Sequence, residues 1–251
     1  MSTRREHFPP TERTFVVDAI VQGRSSELTA HIMRVYDEPL QIYFSATSFR
    51  SLGEPRDIVA GYFASRLARS EWLSEWQLSW ENEGIRLSRW LVNGLNFFLF
   101  EVHRTQQRER KERGGRSIEA IEVAGDMCAS AGVLAQEKAI HASGKFIGAA
   151  HVFDRAHARV LVREALTRTE AACTESGQSQ HFDIFMRHCV EQIPYELIAA
   201  QTALSPIQCA GLVRTVSMKF RRAIAELLVE DGADPCELDH EIARLMESLA
   251  R

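Results

Sequence analysis

Apolar residues recur along the chain at the three- and four-residue spacing of helices, and sustained alternating runs of Val, Ile, Thr and aromatic residues are missing, so an almost entirely helical protein is expected. The pattern predicts helices over about Arg13 to Gln22, Ser26 to Ala46, Pro55 to Ala68 and Ile85 to Lys111. In the third, Pro55 suits a first helical turn, which needs no amide donor. Ile58, Val59, Tyr62, Phe63 and Leu67 then make one apolar face. The fourth carries Leu87, Trp90, Leu91, Leu95, Phe98, Leu99 and Val102 before turning basic. That fits a helix anchored in a core whose exit projects toward phosphates, and equally a solvated C-terminus favoured by the helix dipole. Trp72, Trp76 and Trp80 repeat every four residues, more often the mark of a core face than of a docking stripe.

After Arg113-Gly114-Gly115-Arg116 the pattern breaks, and Ile118 to Ala150 is richer in Gly, Ala and Ser, which reads as a linker. A second helical block starts near Phe153 and runs through Arg159 to Ala172, then Gln180 to Gln192, Tyr195 to Thr202, Pro206 to Leu228 and Pro235 to Ala250. The expected organisation is two small helical domains, 1–112 and 151–230, joined by a linker at 113–150 and followed by a helical extension at 231–251.

Tyr195 to Arg222 is the most informative stretch. Ser205 is a good N-cap, Pro206 fits the first helical position, and Gln208 stands where a capping box places its second member, so a new helix starts sharply after Leu204. Leu197 and Ile198 are expected to be buried by the preceding helix, and Cys209, Leu212, Val213, Val216 and Phe220 by the next. Two helices joined by so tight a turn cross steeply and leave the second helix's other face able to enter a major groove. That face offers Ile207, Gln208, Gly211, Arg214, Thr215 and Lys219. Gln208 and Arg214 have side chains that read adenine or guanine edges, while Lys219, Arg221 and Arg222 hold phosphates. A plain helical hairpin shows the same pattern.

The chain of 251 residues has a formal net charge of −4, which is unusual for a protein that touches DNA, but the distribution is uneven. Arg104 to Arg116 holds six Arg or Lys against Glu109 and Glu112, a net of +4. Ala223 to Arg251 holds eight acids against Arg244 and Arg251, a net of −6. With 45% hydrophobic and 25% charged residues the chain can bury real cores. No long apolar run or signal-like start is present, so a soluble, cytoplasmic protein without membrane contact is expected. Five scattered cysteines without a Cys-x-x-Cys argue for free thiols. His181, His188 and Cys189 come nearest to ligand spacing; His181 and His188 are seven apart and share a helical face, but no third and fourth ligands follow them in a recognisable pattern. Motifs for phosphoryl transfer, acyl transfer and metalloprotease chemistry are missing. The expectation is therefore no enzyme, no catalytic residue, no metal, no cofactor and no small-molecule substrate.

Four stretches in order resemble bacterial sigma factors of the extracytoplasmic-function type, in particular a divergent branch abundant in planctomycetes. Phe8-Pro-Pro-Thr11 is similar to that branch's opening Phe-Pro-x-Thr. Glu54-Pro-Arg-Asp-Ile-Val-Ala-Gly-Tyr-Phe63 resembles the region-two helix that grips the polymerase clamp, with Arg56 where the family usually has an acid. Gly84-Ile-Arg-Leu-Ser-Arg-Trp-Leu91 with the basic stretch behind it resembles the segments that follow in region two. Phe153-Asp-Arg-Ala-His-Ala-Arg159, the helix-turn-helix and Asp234-Pro-x-Glu-Leu-Asp239 resemble the second domain and its C-terminal extension.

The resemblance implies a region-two domain that binds core RNA polymerase through Glu54, Asp57, Ile58, Val59, Tyr62 and Phe63 and melts a minus-ten element with Trp90, Asn93, Asn96, Phe97, Arg104 and Arg108. It also implies a region-four domain that reads a minus-thirty-five element with Ser205, Gln208, Gly211, Arg214, Thr215, Lys219 and Arg222. Aromatic and amide side chains beside a basic track suit melted DNA on physical grounds too. Core RNA polymerase and promoter DNA are the expected partners, with an anti-sigma factor or a regulatory kinase as a further one. Ala210, Thr215, Ser217 and Met218 stand where the family is often basic or polar. The alternative is accordingly a degenerate sigma-like protein that binds polymerase or an anti-sigma partner without productive promoter reading.

Overall fold

The computed structural model describes residues 25–67, 69, 71–113 and 148–250. The opening Phe8-Pro-Pro-Thr11 stretch, the expected helix at 13–22 and nearly all of the linker at 113–150 lie outside the described residues. Among these the protein is all-α, as the periodicity indicates, and no helix is long and apolar enough to cross a membrane.

The helices are α1 (Ser25–Ala46), α2 (Pro55–Leu67), α3 (Trp72–Glu83), α4 (Leu87–Arg113), α5 (Ala149–Glu175), α6 (Ser179–Phe185), α7 (Tyr195–Thr202), α8 (Pro206–Glu230) and α9 (Leu238–Ala250). Single 3-10 turns lie at Arg50–Leu52 and Pro235–Glu237, and α6 runs on as a π turn over Met186–Val190. The chain forms two compact units whose division falls inside α5, between His157 and Ala158.

In the first unit α1 packs on α2 and α4, and α2 and α3 pack on α4. Leu28, Ile32, Leu40 and Phe44 of α1 meet Val59, Tyr62 and Phe63 of α2 and Leu91, Leu95 and Leu99 of α4 in a core closed to solvent. Helix α3, which the periodicity alone did not delimit, buries Trp72, Leu73 and Trp76 and ends at Gly84. There a left-handed backbone (φ 66°) lets the Gly84 N–H reach the Trp80 carbonyl. Two of the three tryptophans are thus core residues, and the Trp76 indole N–H donates to the Ile85 carbonyl at 3.1 Å.

The first residues of α5 belong to this unit. His157 stacks between Tyr36 and Phe153, and Phe153 meets the edge of Tyr43. The Tyr43 hydroxyl donates to Asn96 Oδ1 at 2.9 Å, and the Tyr62 hydroxyl donates to the Leu91 carbonyl at 3.1 Å. Burial pushes both phenols from 10 up to about 12. Each is held neutral more firmly when folded than when unfolded, so the stability they contribute is whole below pH 10 and is lost as pH rises toward 12. A titration of tyrosinate absorbance beside a stability measurement should show the two fall together in that window.

In the second unit α8 packs on α6, α7 and α9. Arg168 of α5 grips Glu230 at the end of α8 with two parallel hydrogen bonds of 2.9 and 3.0 Å. The acidic helix α9 buries Leu245 and Glu241 and is joined to α8 by Arg221, which reaches Asp239 at 2.7 Å.

Candidate nucleic-acid interface

The helix-turn-helix is built from α7 and α8. Ala203, with φ 55° and ψ 24°, ends α7 in the left-handed region, and Ser205 turns the chain into α8 two residues later. The capping box forms as the residue types require. The Gln208 N–H donates to Ser205 Oγ at 3.2 Å and the Ser205 N–H donates to Gln208 Oε1 at 2.8 Å, with Pro206 at the first helical position. Replacing Ser205 by alanine is expected to cost about 1 kcal/mol of stability, measured by urea unfolding of the full chain. An unchanged midpoint would show that the cap is not what starts α8.

Beneath the turn, Ile198, Ala199, Cys209, Val213 and Val216 close on Cys173, Ile184 and Phe185, with Leu212 and Phe220 partly buried against them. The α8 stripe is as expected. The α7 register is not: Ile198 is buried, whereas Leu197 is 57% exposed. Consecutive helical positions are about 100° apart, and the one facing α8 is Ile198.

The outward stripe of α8 is Ile207, Gly211, Arg214 and Met218. Their spacing of four, three and four residues keeps them on one line. Ile207 is 85% exposed, Met218 61% exposed, and a side chain added at Gly211 would meet open space. Arg214 is exposed on the same line. Met218, which stands where the resembled family is often basic or polar, is in register with Ile207, a spacing the sequence itself displays.

Other residues assigned to DNA are occupied differently. Lys219 Nζ donates to the Ala172 carbonyl and to Ser176 Oγ, both at 3.1 Å, so it caps the end of α5 instead of pointing at a phosphate. Arg222 is paired along the helix with Glu226 at 2.8 Å, and Arg221 with Asp239. Both arginines remain exposed, and such pairs are weak enough for a polyanion to replace them. Thr215 Oγ1 donates to the Gly211 carbonyl.

In the first unit, α4 carries Trp90 half-buried between Trp72, stacked at 5.9 Å, and the Arg66 guanidinium, 5.6 Å from its ring. Phe97 is half-buried, and Arg104 and Arg108 are exposed. Asn93 and Asn96 are not available to single-stranded DNA. Both are buried, Asn96 by its bond from Tyr43, because their turns of α4 face α1 and α2 and not solvent.

The expected polymerase face on α2 also needs correction. Val59, Tyr62 and Phe63 are core residues, because the apolar face that looked like a docking surface is the one that closes the bundle. Glu54, Arg56 and Asp57 are exposed and Ile58 is half-buried, so the part of this stretch open to a partner is the charged start of α2.

Among the described residues no group of three His, Cys, Asp or Glu is placed to hold a metal ion. His188 lies against the Tyr195 ring at 3.7 Å and its Nδ1–H donates to the Ile193 carbonyl at 3.0 Å. No family model, no curated protein and no solved structure matches the chain.

Proposed function

We propose that this protein is a sigma-type transcription initiation factor, which joins core RNA polymerase through its first helical unit and reads promoter DNA with α8 of its second. The observation that carries the reading is the helix-turn-helix whose second helix is locked at its start by a capping box and presents Arg214 on an exposed stripe. A short turn, a fixed helix start and an uncovered outer face are what entry into a major groove requires. The resemblance of the α2 and α4 stretches to region two supplies the polymerase half, with Glu54 and Asp57 as contact residues. Trp90, Phe97, Arg104 and Arg108 are those left to meet melted DNA.

Reconstitution of the full chain with core RNA polymerase, followed by sequencing of transcripts initiated on genomic DNA, tests this. Shared promoter sequences upstream of the starts are expected. Arg214→Ala should cost about 1 to 3 kcal/mol in promoter binding and relax the preference at one position. The second reading, a sigma-like protein that binds polymerase or an anti-sigma partner without reading DNA, draws on Lys219, which is engaged at the end of α5, and on the ion pairs that a polyanion would have to displace from Arg221 and Arg222. It gains if transcripts start without a common sequence and Arg214→Ala changes nothing.

A further inference from the structure

The start of α8 restricts what Gln208 can read. Its Oε1 accepts the Ser205 N–H at 2.8 Å. Turning the amide over would set its NH₂ against that N–H, donor to donor, so the orientation is dictated by chemistry. The cap occupies one of that oxygen's two lone pairs and ties the oxygen to the helix start, while both NH₂ donors stay outside the cap. The paired contact by which glutamine recognises adenine needs the oxygen to accept from N6 while the nitrogen donates to N7, so it must share an oxygen already held at Ser205, whereas a donor-only contact leaves the cap as it is. A lone amide donor serves thymine O4 or the guanine acceptors instead.

Beside it stands Ile207, an aliphatic side chain 85% exposed at the second position of the helix, where a recognition helix first meets base edges. Thymine alone among the four bases offers a methyl group in the major groove. Gly211, one turn further along the same stripe, adds no bulk that would hold the helix away from the groove floor. From Ile207 to Met218 the stripe runs about 16 Å, of the order of the roughly 12 Å groove width.

Resting on the promoter-reading function proposed above, we infer that Ile207 and Gln208 together select thymine in the recognised element, Ile207 against the 5-methyl group and Gln208 by donating to O4. Arg214, further along the stripe, reads guanine.

The test uses the full chain bound to core RNA polymerase and a random duplex library, amplified either with thymidine or with deoxyuridine, which keeps O4 and lacks the methyl. The selected sites should contain thymine at a fixed position. The wild type should bind them about fourfold more weakly when that thymine becomes uracil, the equivalent of one unburied methyl at about 0.8 kcal/mol. Ile207→Ala should bind the two forms equally. Gln208→Glu, which keeps an oxygen for the cap but has no donor, should lose affinity for both forms alike while the chain unfolds at the same urea concentration.

A selected site bound equally well with uracil, or an Ile207→Ala variant that still distinguishes the two, overturns the thymine assignment and leaves promoter reading intact. If Ile207→Ala weakens only the hold on core polymerase, the stripe docks protein and the assignment falls. Absence of any selected sequence overturns both.

Discussion

Replacing Tyr62 by alanine is expected to destabilise the first unit by about 3 to 5 kcal/mol, enough to unfold many domains at ordinary temperature. The ring is fully enclosed by Phe63 and Phe98, with the Arg66 guanidinium 5.5 Å from its centroid, and its hydroxyl donates to the Leu91 carbonyl. Truncation removes both the apolar burial and the hydrogen bond, and leaves a cavity between α2 and α4. Charge reversal at exposed Asp57, about one and a half turns earlier and in the first turn of the same helix, should cost no more than about 1 kcal/mol, the size of a helix-dipole effect. Urea unfolding of the full chain separates these outcomes. Loss of polymerase binding in a Tyr62 variant therefore reports unfolding, whereas loss in an Asp57 variant reports a contact.

The same enclosure explains Gly94. A Cβ there would fall 2.5 Å from the Tyr62 hydroxyl oxygen and 2.9 Å from an Arg66 nitrogen. Gly94→Ala should destabilise the protein although alanine is the better helix former by about 1 kcal/mol, because overpacking typically costs about 1 to 3 kcal/mol. Tyr62→Phe should relieve part of that cost. Additive effects in the double variant would show that the two residues do not compete for space.

The second large effect is expected at Ile198. Its replacement by alanine should cost about 2 to 5 kcal/mol, since the side chain is closed off from solvent among Ile184, Phe185, Val213 and Val216. Leu197→Ala, one residue earlier, should stay within about 0.5 kcal/mol. Thermal unfolding of the two variants reads the rotation of α7 directly. Equal losses would place Leu197 in the core and turn the α7 face by one residue.

Most of what is local was readable along the chain. The starts of α2 and α8 follow from Pro55 and the Ser205-Pro206-Gln208 set, because caps and first-turn prolines act within a few residues of themselves. The all-helical class and the buried stripe of α8 follow from periodicity over long windows. The short α3 did not. A 12-residue helix has little stability of its own and forms because Trp72, Leu73 and Trp76 are buried in the fold.

By itself the sequence determined most of the helical segments, α3 excepted, and where the second helix of the helix-turn-helix begins. Only the tertiary structure decided which apolar side chains are spent on the core and which polar groups are already engaged. An apolar face reads alike whether it closes a bundle or waits for a partner, and so Val59, Tyr62 and Phe63 could not be told from a docking surface before α4 was in place. Lys219 meets Ala172 and Ser176, Arg221 meets Asp239, and His157 lies against Tyr36 through contacts between residues far apart in the chain. No local pattern encodes those pairings, because they depend on the distance between helices and not on the spacing within one.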